Sequence, residues 1–227
     1  MTAEILSVGT ELLLGDILNT NARFLAVELA KLGINVYYQT VVGDNRGRLL
    51  DAYRLAFGRA DLVIATGGLG PTEDDLTKEV AAEFFGLELI LHEESWERML
   101  AHFRGRRITD NNKKQAMLPE GCAAIRNDNG TAPGCMIEQN GKTLIMLPGP
   151  PNEMEPMFLD GVLPLLWPRT DHILFSRTLK IVGVGESQVE VMLKRLMDSQ
   201  TNPTMALYAK TSEVWLRLTA GAVSEEA

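Results

Sequence analysis

Through its first two thirds the chain switches repeatedly between two hydrophobic periods. Ala3–Val8 is a short apolar run closed by Gly9, which predicts a buried strand. Ala22, Leu25, Ala26, Leu29 and Leu32 recur at helical spacing, so a helix is predicted over Thr20–Leu32, ended by Gly33. Ile34–Val42 is rich in β-branched and aromatic residues and predicts a second strand. Leu49, Ala52, Tyr53, Ala56 and Phe57 share one face of a second helix. Asp61–Thr66 reads as a third strand feeding a glycine loop, and Asp75–Phe85 as the helix after it. This βαβαβα rhythm predicts an α/β fold: a mostly parallel sheet with helices on both faces and right-handed crossovers. Ligands in such sheets sit at the carboxyl ends of the strands.

Farther on, Glu93–Phe103 predicts a helix with Trp96, Met99, Leu100 and Phe103 on its apolar face. Met136–Glu138 and Thr143–Leu147 predict a strand pair around an Asn-Gly turn at 140–141. Pro151–Asp160 predicts another helix. The pattern changes after Pro164–Pro168, which divides the chain into a domain at 1–168 and a small α+β module at 169–227. In the module, Phe175–Val184 reads as a strand and Val189–Met197 as a helix. Glu213–Ala220 reads as a strand with Val214, Leu216 and Leu218 pointing one way.

Composition narrows the function classes. Of 227 residues, 45% are hydrophobic and 23% charged, an ordinary globular balance. The net charge of −8 lacks the basic footprint of a nucleic-acid binder. Arg104–Arg107 with Lys113 and Lys114 forms a local basic patch, read here as a solvated loop face. Cys122 and Cys135 make no disulfide framework and no CxxC motif; a reducing compartment fits, and one bridge between them stays open. The N-terminus has no basic n-region and no run approaches the ~18 apolar residues of a membrane span, so a cytoplasmic protein without a membrane partner is expected. His92, His102 and His172 have no metal-ligand spacing.

The densest chemistry lies in Thr66–Thr77, a strand end followed by Gly67, Gly68 and Gly70, then Thr72, Glu73, Asp74 and Asp75. Glycines allow close backbone approach, and successive N–H groups at a helix start can hold a phosphate. Carboxylates beside a phosphate call for a bridging divalent metal, since bare they would repel the anion. The same residues also read as simple capping, with Thr72 as N-cap and the acids on the helix dipole. Gly9–Asn21 follows the first strand and offers Thr10, Glu11, Asp16, Asn19 and Asn21, or a turn and an N-cap at Asn19 or Thr20. Val42–Asn45 places Asp44 at another strand end, again with capping as the alternative. Asn129–Gly134 and Leu147–Met154 are Pro/Gly-rich loops that suit either a pocket rim or plain turns.

Taken together and in order, Gly9–Asp16, Asn19–Asn21, Val42–Asn45, Thr66–Thr72, Asp74–Thr77, Gly130–Gly134 and Pro148–Glu153 resemble the CinA (competence/damage-inducible) family. The likeness continues through Gly183–Ser187, Asn202-Pro203 and Trp215–Thr219. The resemblance implies a molybdopterin-binding fold, shared with MogA- and MoeA-type proteins, followed by a KH-like connecting module that breaks off early. That module lacks a GXXG loop between two helices, so RNA binding is not inferred. Family members hydrolyse ADP-ribose to AMP and ribose 5-phosphate with a divalent metal ion, and a monovalent cation is admitted beside it. The C-terminal amidohydrolase domain of many members is not expected here. A mechanism follows as an expectation, with Asp75, Asp44 and Glu11 in catalysis and Asp75 and Asp44, joined by Asp74 or Glu11, on the metal. Gly67, Gly68, Gly70, Thr72, Asn21, Thr131, Gly134, Gly149 and Pro150 would bind the nucleotide. A homodimer is expected, and the alternative function is a molybdopterin- or nucleotide-binding module without turnover.

Overall fold

A computed structural model describes residues 1–103, 109–169 and 173–222. The basic run Arg104–Arg107, His172 and the last five residues lie outside the described residues. Two compact units are present, one formed by Met1–Leu29 and Ile34–Arg169 and a second that takes up the chain after Arg169.

In the first unit the order is β1 (Thr2–Val8), α1 (Thr10–Leu14), α2 (Thr20–Lys31), β2 (Asn35–Val42), α3 (Arg46–Phe57), β3 (Leu62–Thr66) and α4 (Thr77–Phe85). There follow β4 (Leu89–Leu91), α5 (Glu93–Phe103), α6 (Asp110–Gln115), β5 (Met117–Pro119), β6 (Ala123–Ile125), β7 (Gly134–Gln139), β8 (Lys142–Leu147), α7 (Pro151–Met157) and α8 (Leu163–Leu166). The main sheet runs β2-β1-β3-β8-β7-β6. Its first four strands are parallel, and β7 and β6 add on antiparallel to their neighbours.

The register shows why the strands read as continuous apolar runs. Leu6, Ala65, Met146 and Cys135 stand in one row across β1, β3, β8 and β7, on the face covered by Tyr53, Phe57, Val80 and Ala81 of α3 and α4. Ile5, Ile64, Ile145 and Met136 form the neighbouring row, point the other way and are equally buried. Both faces are therefore dry, as a parallel sheet between helices requires. Phe57 stacks on Phe84 at 5.4 Å on the first side; Phe24 of α2 meets Phe158 edge-on at 5.8 Å on the second.

Several elements depart from the sequence reading. α4 begins at Thr77 instead of Asp75, so Thr72 is not its N-cap and Glu79 is the acid in its first turn. A five-residue helix, α1, occupies part of what reads as a loop, closed by Gly15 in the left-handed region. Leu100 of α5 is exposed, while Met99 and Ser95 face inward. The Asn-Gly turn is as expected, with positive φ at both Asn140 and Gly141. Both cysteines are free thiols.

The second unit contains β9 (Ile173–Val182), α9 (Glu186–Asp198), β10 (Thr204–Lys210) and β11 (Glu213–Ala222). Its antiparallel sheet runs β10-β11-β9, and Val214 and Leu216 are buried as the alternation predicts. No described helix in either unit is long and apolar enough to cross a membrane.

One buried charge in the first unit carries an energetic consequence. Glu4 of β1 is 1% exposed and accepts from Arg59 Nε at 2.8 Å, Arg59 Nη2 at 2.7 Å and Thr40 Oγ1 at 2.6 Å. Burial alone would push this carboxyl up; the Arg59 and Thr40 hydrogen bonds and the Arg59 charge outweigh it and hold the group below its ordinary value. A depressed carboxyl contributes stability above its unfolded value that is lost as pH falls through the folded one. Arg59→Met should therefore destabilise the fold at pH 7 by about 3 kcal/mol, leaving a buried charge unpaired. The deficit should narrow at pH 5, where Glu4 in the variant takes up a proton; urea unfolding at both pH values measures this.

Candidate functional site

In the order β2-β1-β3 the chain adds β2 on one side of β1 and β3 on the other, and an open sheet binds ligands at the carboxyl ends beside such a switch in strand order. Four strand ends meet there. Gly9 N–H donates to Val42 O at 3.0 Å and Gly67 N–H to Leu147 O at 3.0 Å. Gly67 has φ +104°, and a Cβ on it would lie 2.0 Å from Val8 O. Thr77, the first residue of α4, fastens the loop from the far side: its hydroxyl donates to Gly67 O at 2.8 Å and its N–H to Gly68 O at 3.2 Å.

A cleft of about 410 Å³ opens on this edge. Glu11, Asp44, Gly67, Gly68, Gly70, Asp74, Asp75, Thr131, Gly149 and Pro150 all line it, so most residues singled out in the sequence come together. Three others do not line it. Thr72 turns back, its N–H donating to Asp75 Oδ2 at 2.9 Å and its hydroxyl bonding the same oxygen. Gly134 is buried within β7, where a Cβ would sit 2.6 Å from Met146 O. Asn21 ties Thr66 Oγ1 (2.8 Å) and Gly149 O (2.7 Å) together from a neighbouring cavity.

The acids combine two duties. Asp44 Oδ2 accepts from Thr10 N–H and hydroxyl, both at 2.8 Å, while Asn45 caps α3 through Arg48 N–H at 3.1 Å. Asp75 uses one oxygen on Thr72, and Glu153 uses one on Asn127 Nδ2 at 2.7 Å. The second oxygen of Asp44, Asp75 and Glu153 has no protein donor among the described residues. Each of three glycines also lies directly beneath a carboxylate. A Cβ on Gly9, Gly70 or Gly130 would lie within 2.5 Å of a carboxylate oxygen of Glu11, Asp75 or Glu153 respectively. None of the three lies in the left-handed region, so a side chain there would act by displacing the carboxylate above it. Asp74 is exposed, and local hydrogen bonding together with the charge of Lys114 holds its carboxyl below the ordinary range.

A divalent cation fits this donor set. The donors are hard carboxylate oxygens, but no three acids, histidines or cysteines among the described residues converge as a ligand group. A magnesium-type ion binds only one or two carboxylates and completes its shell with water and phosphate oxygens, so these residues could hold one without a three-ligand group.

Sequence reasoning missed the supports behind the loops. Lys114 Nζ donates to Thr72 O at 2.7 Å and Asp75 O at 2.6 Å, holding the acidic turn from outside. Lys78 is 2% exposed and donates to Lys114 O at 3.1 Å and Gln115 O at 2.5 Å; burial brings its ammonium down to about 8. Gln115 in turn accepts from the Thr131 hydroxyl at 3.1 Å. A lysine on the apolar face of α4, three and four residues before Ala81 and Ala82, was the available signal. Glu153 stood in a loop already singled out, yet its acid was not read as part of the cleft.

Comparison with known proteins identifies the family and the fold. The family described as "Probable molybdopterin binding domain" matches residues 4–167, and "Damage-inducible protein CinA KH domain" matches residues 176–227. A CinA-like protein of Dictyoglomus turgidum is 58% identical over 228 residues, covering 100% of this chain and 56% of its own. The chain thus spans about half the length of the curated relatives it matches. The solved structure of the protein CinA, of unknown function, from Thermoplasma acidophilum is 37% identical with a TM-score of 0.67, covering 70% of this chain and 94% of that one. A molybdopterin biosynthesis protein from Mycobacterium abscessus, 16% identical with a TM-score of 0.50 over 74% of this chain and 92% of that one, shares the fold alone.

Gly67→Ala should destabilise the protein by more than about 3 kcal/mol, since it adds a steric clash to a left-handed backbone. Gly121→Ala, at φ +77° with nothing within 4 Å, should cost only about 1 kcal/mol in the same urea titration.

Proposed function

Because the chain belongs to the CinA family, we propose that its strand-end cleft hydrolyses the pyrophosphate of ADP-ribose, giving AMP and ribose 5-phosphate. The observation that carries this reading is the pairing of a glycine loop at Gly67–Gly70 with carboxylates that each keep an oxygen uncommitted. Backbone N–H groups in such a loop suit phosphate oxygens. The carboxylates alone would repel the same anion, so the two features make sense together when a cation lies between them.

In this reading Asp75 and Asp44, with Asp74 beside them, hold a divalent cation. Such an ion neutralises phosphate charge and lowers the pKa of a bound water. The protein's own contribution is placement. Thr72 and Thr10 each fix one oxygen of Asp75 and Asp44, which leaves the other directed by the loop rather than by side-chain rotation. Glu11, seated over Gly9, is placed to accept a proton from the attacking water. Gly149 and Pro150, with Thr131, form the rim against which the ribose phosphate would rest. Preorganised donors of this kind need no rearrangement as charge builds on phosphorus.

A second reading, a nucleotide- or molybdopterin-binding module without turnover, is favoured by the lack of three converging ligands among the described residues. One assay separates the two. Purified protein with ADP-ribose, with and without divalent and monovalent salts, should release AMP only when a divalent metal is present. Asp75→Asn keeps an acceptor for Thr72, so it should hold its melting temperature and lose at least about 100-fold in kcat. Binding of ADP-ribose without AMP release under any metal would move the conclusion to the binding module, and full activity in Asp75→Asn would remove this residue from the chemistry.

A further inference from the structure

The turn that carries Asp74 and Asp75 to the cleft closes on itself. Asp75 N–H donates to Thr72 O at 3.3 Å, and one Asp75 carboxylate oxygen accepts from Thr72 N–H at 2.9 Å. Neither contact ties the turn to the rest of the fold. Lys114 does. Its ammonium has three protons, and three oxygens stand around it: Thr72 O at 2.7 Å, Asp75 O at 2.6 Å and Glu79 Oε1 at 3.5 Å. Two of the three are main-chain carbonyls, so the lysine grips the backbone at both ends of the turn and leaves the Asp75 carboxylate to the cleft. Glu73, Asp74, Asp75 and Glu79 put four acids into seven residues, and a cation among them offsets their mutual repulsion.

The lysine is itself held at its main chain. Lys78 Nζ, buried on α4, donates to Lys114 O at 3.1 Å and Gln115 O at 2.5 Å. α4 thus fixes the end of α6, and α6 returns an ammonium to the turn that leads into α4. A surface ion pair by itself is worth little, but charge-assisted bonds to two carbonyls are strong. The Lys114 side chain is 25% exposed and borders a cavity of about 410 Å³ together with Thr72, Glu79 and Asn111. Removing the side chain would open its three oxygens to a small solute.

We infer that Lys114 is a positioning residue: its ammonium is a tethered cation that sets where the turn presents the Asp75 carboxylate to the cleft. The inference rests on the hydrolase reading above and adds to it a residue that touches neither substrate nor metal. A free amine of the same size should then do the work of the lysine once the stem is gone.

The test compares Lys114→Ala with the unaltered full chain in methylammonium chloride and, at equal ionic strength, in tetramethylammonium chloride, which has no N–H to donate. Alanine suits the helix. The melting temperature of the variant should rise in methylammonium over tetramethylammonium, because an amine bound by the folded state alone stabilises it; that of the unaltered chain should not distinguish the salts. At a temperature where circular dichroism shows the variant fully folded, its kcat for ADP-ribose with magnesium should fall about tenfold or more and recover about threefold or more in methylammonium. Lys114→Met keeps the stem, so it preserves the packing if alanine does not; it should show the same fall in kcat and gain nothing from methylammonium. Undiminished kcat in either folded variant, rescue by both salts alike or by neither, or equal melting of Lys114→Ala in the two salts overturns the inference. The melting comparison needs no turnover. An unaltered chain that never releases AMP removes the hydrolase reading and leaves the lysine to be judged by melting. An unaltered chain that hydrolyses ADP-ribose beside an equally active Lys114→Ala does the reverse.

Discussion

The contact on which the site depends is the approach of Gly67 to the carbonyl of Val8. Four parallel strands deliver their ends to one edge, and the β3 loop must cross the end of β1 at a distance that no side chain permits. Once that crossing is made, the rest follows from backbone chemistry. The Gly67 N–H is committed to β8, its carbonyl to Thr77, and the loop is held between two strands and a helix start. The rigidity of the cleft is thus a property of the main chain, and the acids are added to a frame that is already fixed.

Those acids show why capping and chemistry need not compete. Each holds the structure with one oxygen: Asp75 closes the local Thr72 turn, Asp44 ties the β2 end to Thr10, and Glu153 holds Asn127. A carboxylate has two oxygens, and a loop needs only one. The interaction that stabilises the turn also removes the rotational freedom of the second oxygen, so the ordering cost is met at folding rather than at binding.

Much of this was legible in the sequence because local pattern and tertiary environment agree. The buried residues of α3 are the five that the periodicity picks out, and the continuous apolar runs of β1 and β3 announce a sheet covered on both faces. What was not legible depends on contacts between distant segments. Thr72 is a good capping residue, but Lys114, some forty positions later, holds the carbonyls at 72 and 75 and delays the helix to Thr77. Leu12 and Leu13 read as loop yet form a turn of helix, since Gly15 supplies a left-handed cap that the local pattern does not signal. Gly134 lies outside the cleft lining for a related reason: a glycine in a strand can serve close packing as readily as a ligand.

Lys78 has a consequence of a different kind. Its amine is buried at about 8 in the native state, against an ordinary value of 10.5 in an open chain. Between those two pH values the unfolded chain holds a proton that the folded one gives up, so folding there expels a proton into solvent and stability rises with pH across the window. Heat measured for unfolding near pH 9 then contains the ionisation heat of whatever buffer exchanges that proton. Two buffers of different protonation enthalpy would report different apparent enthalpies for the same structural transition.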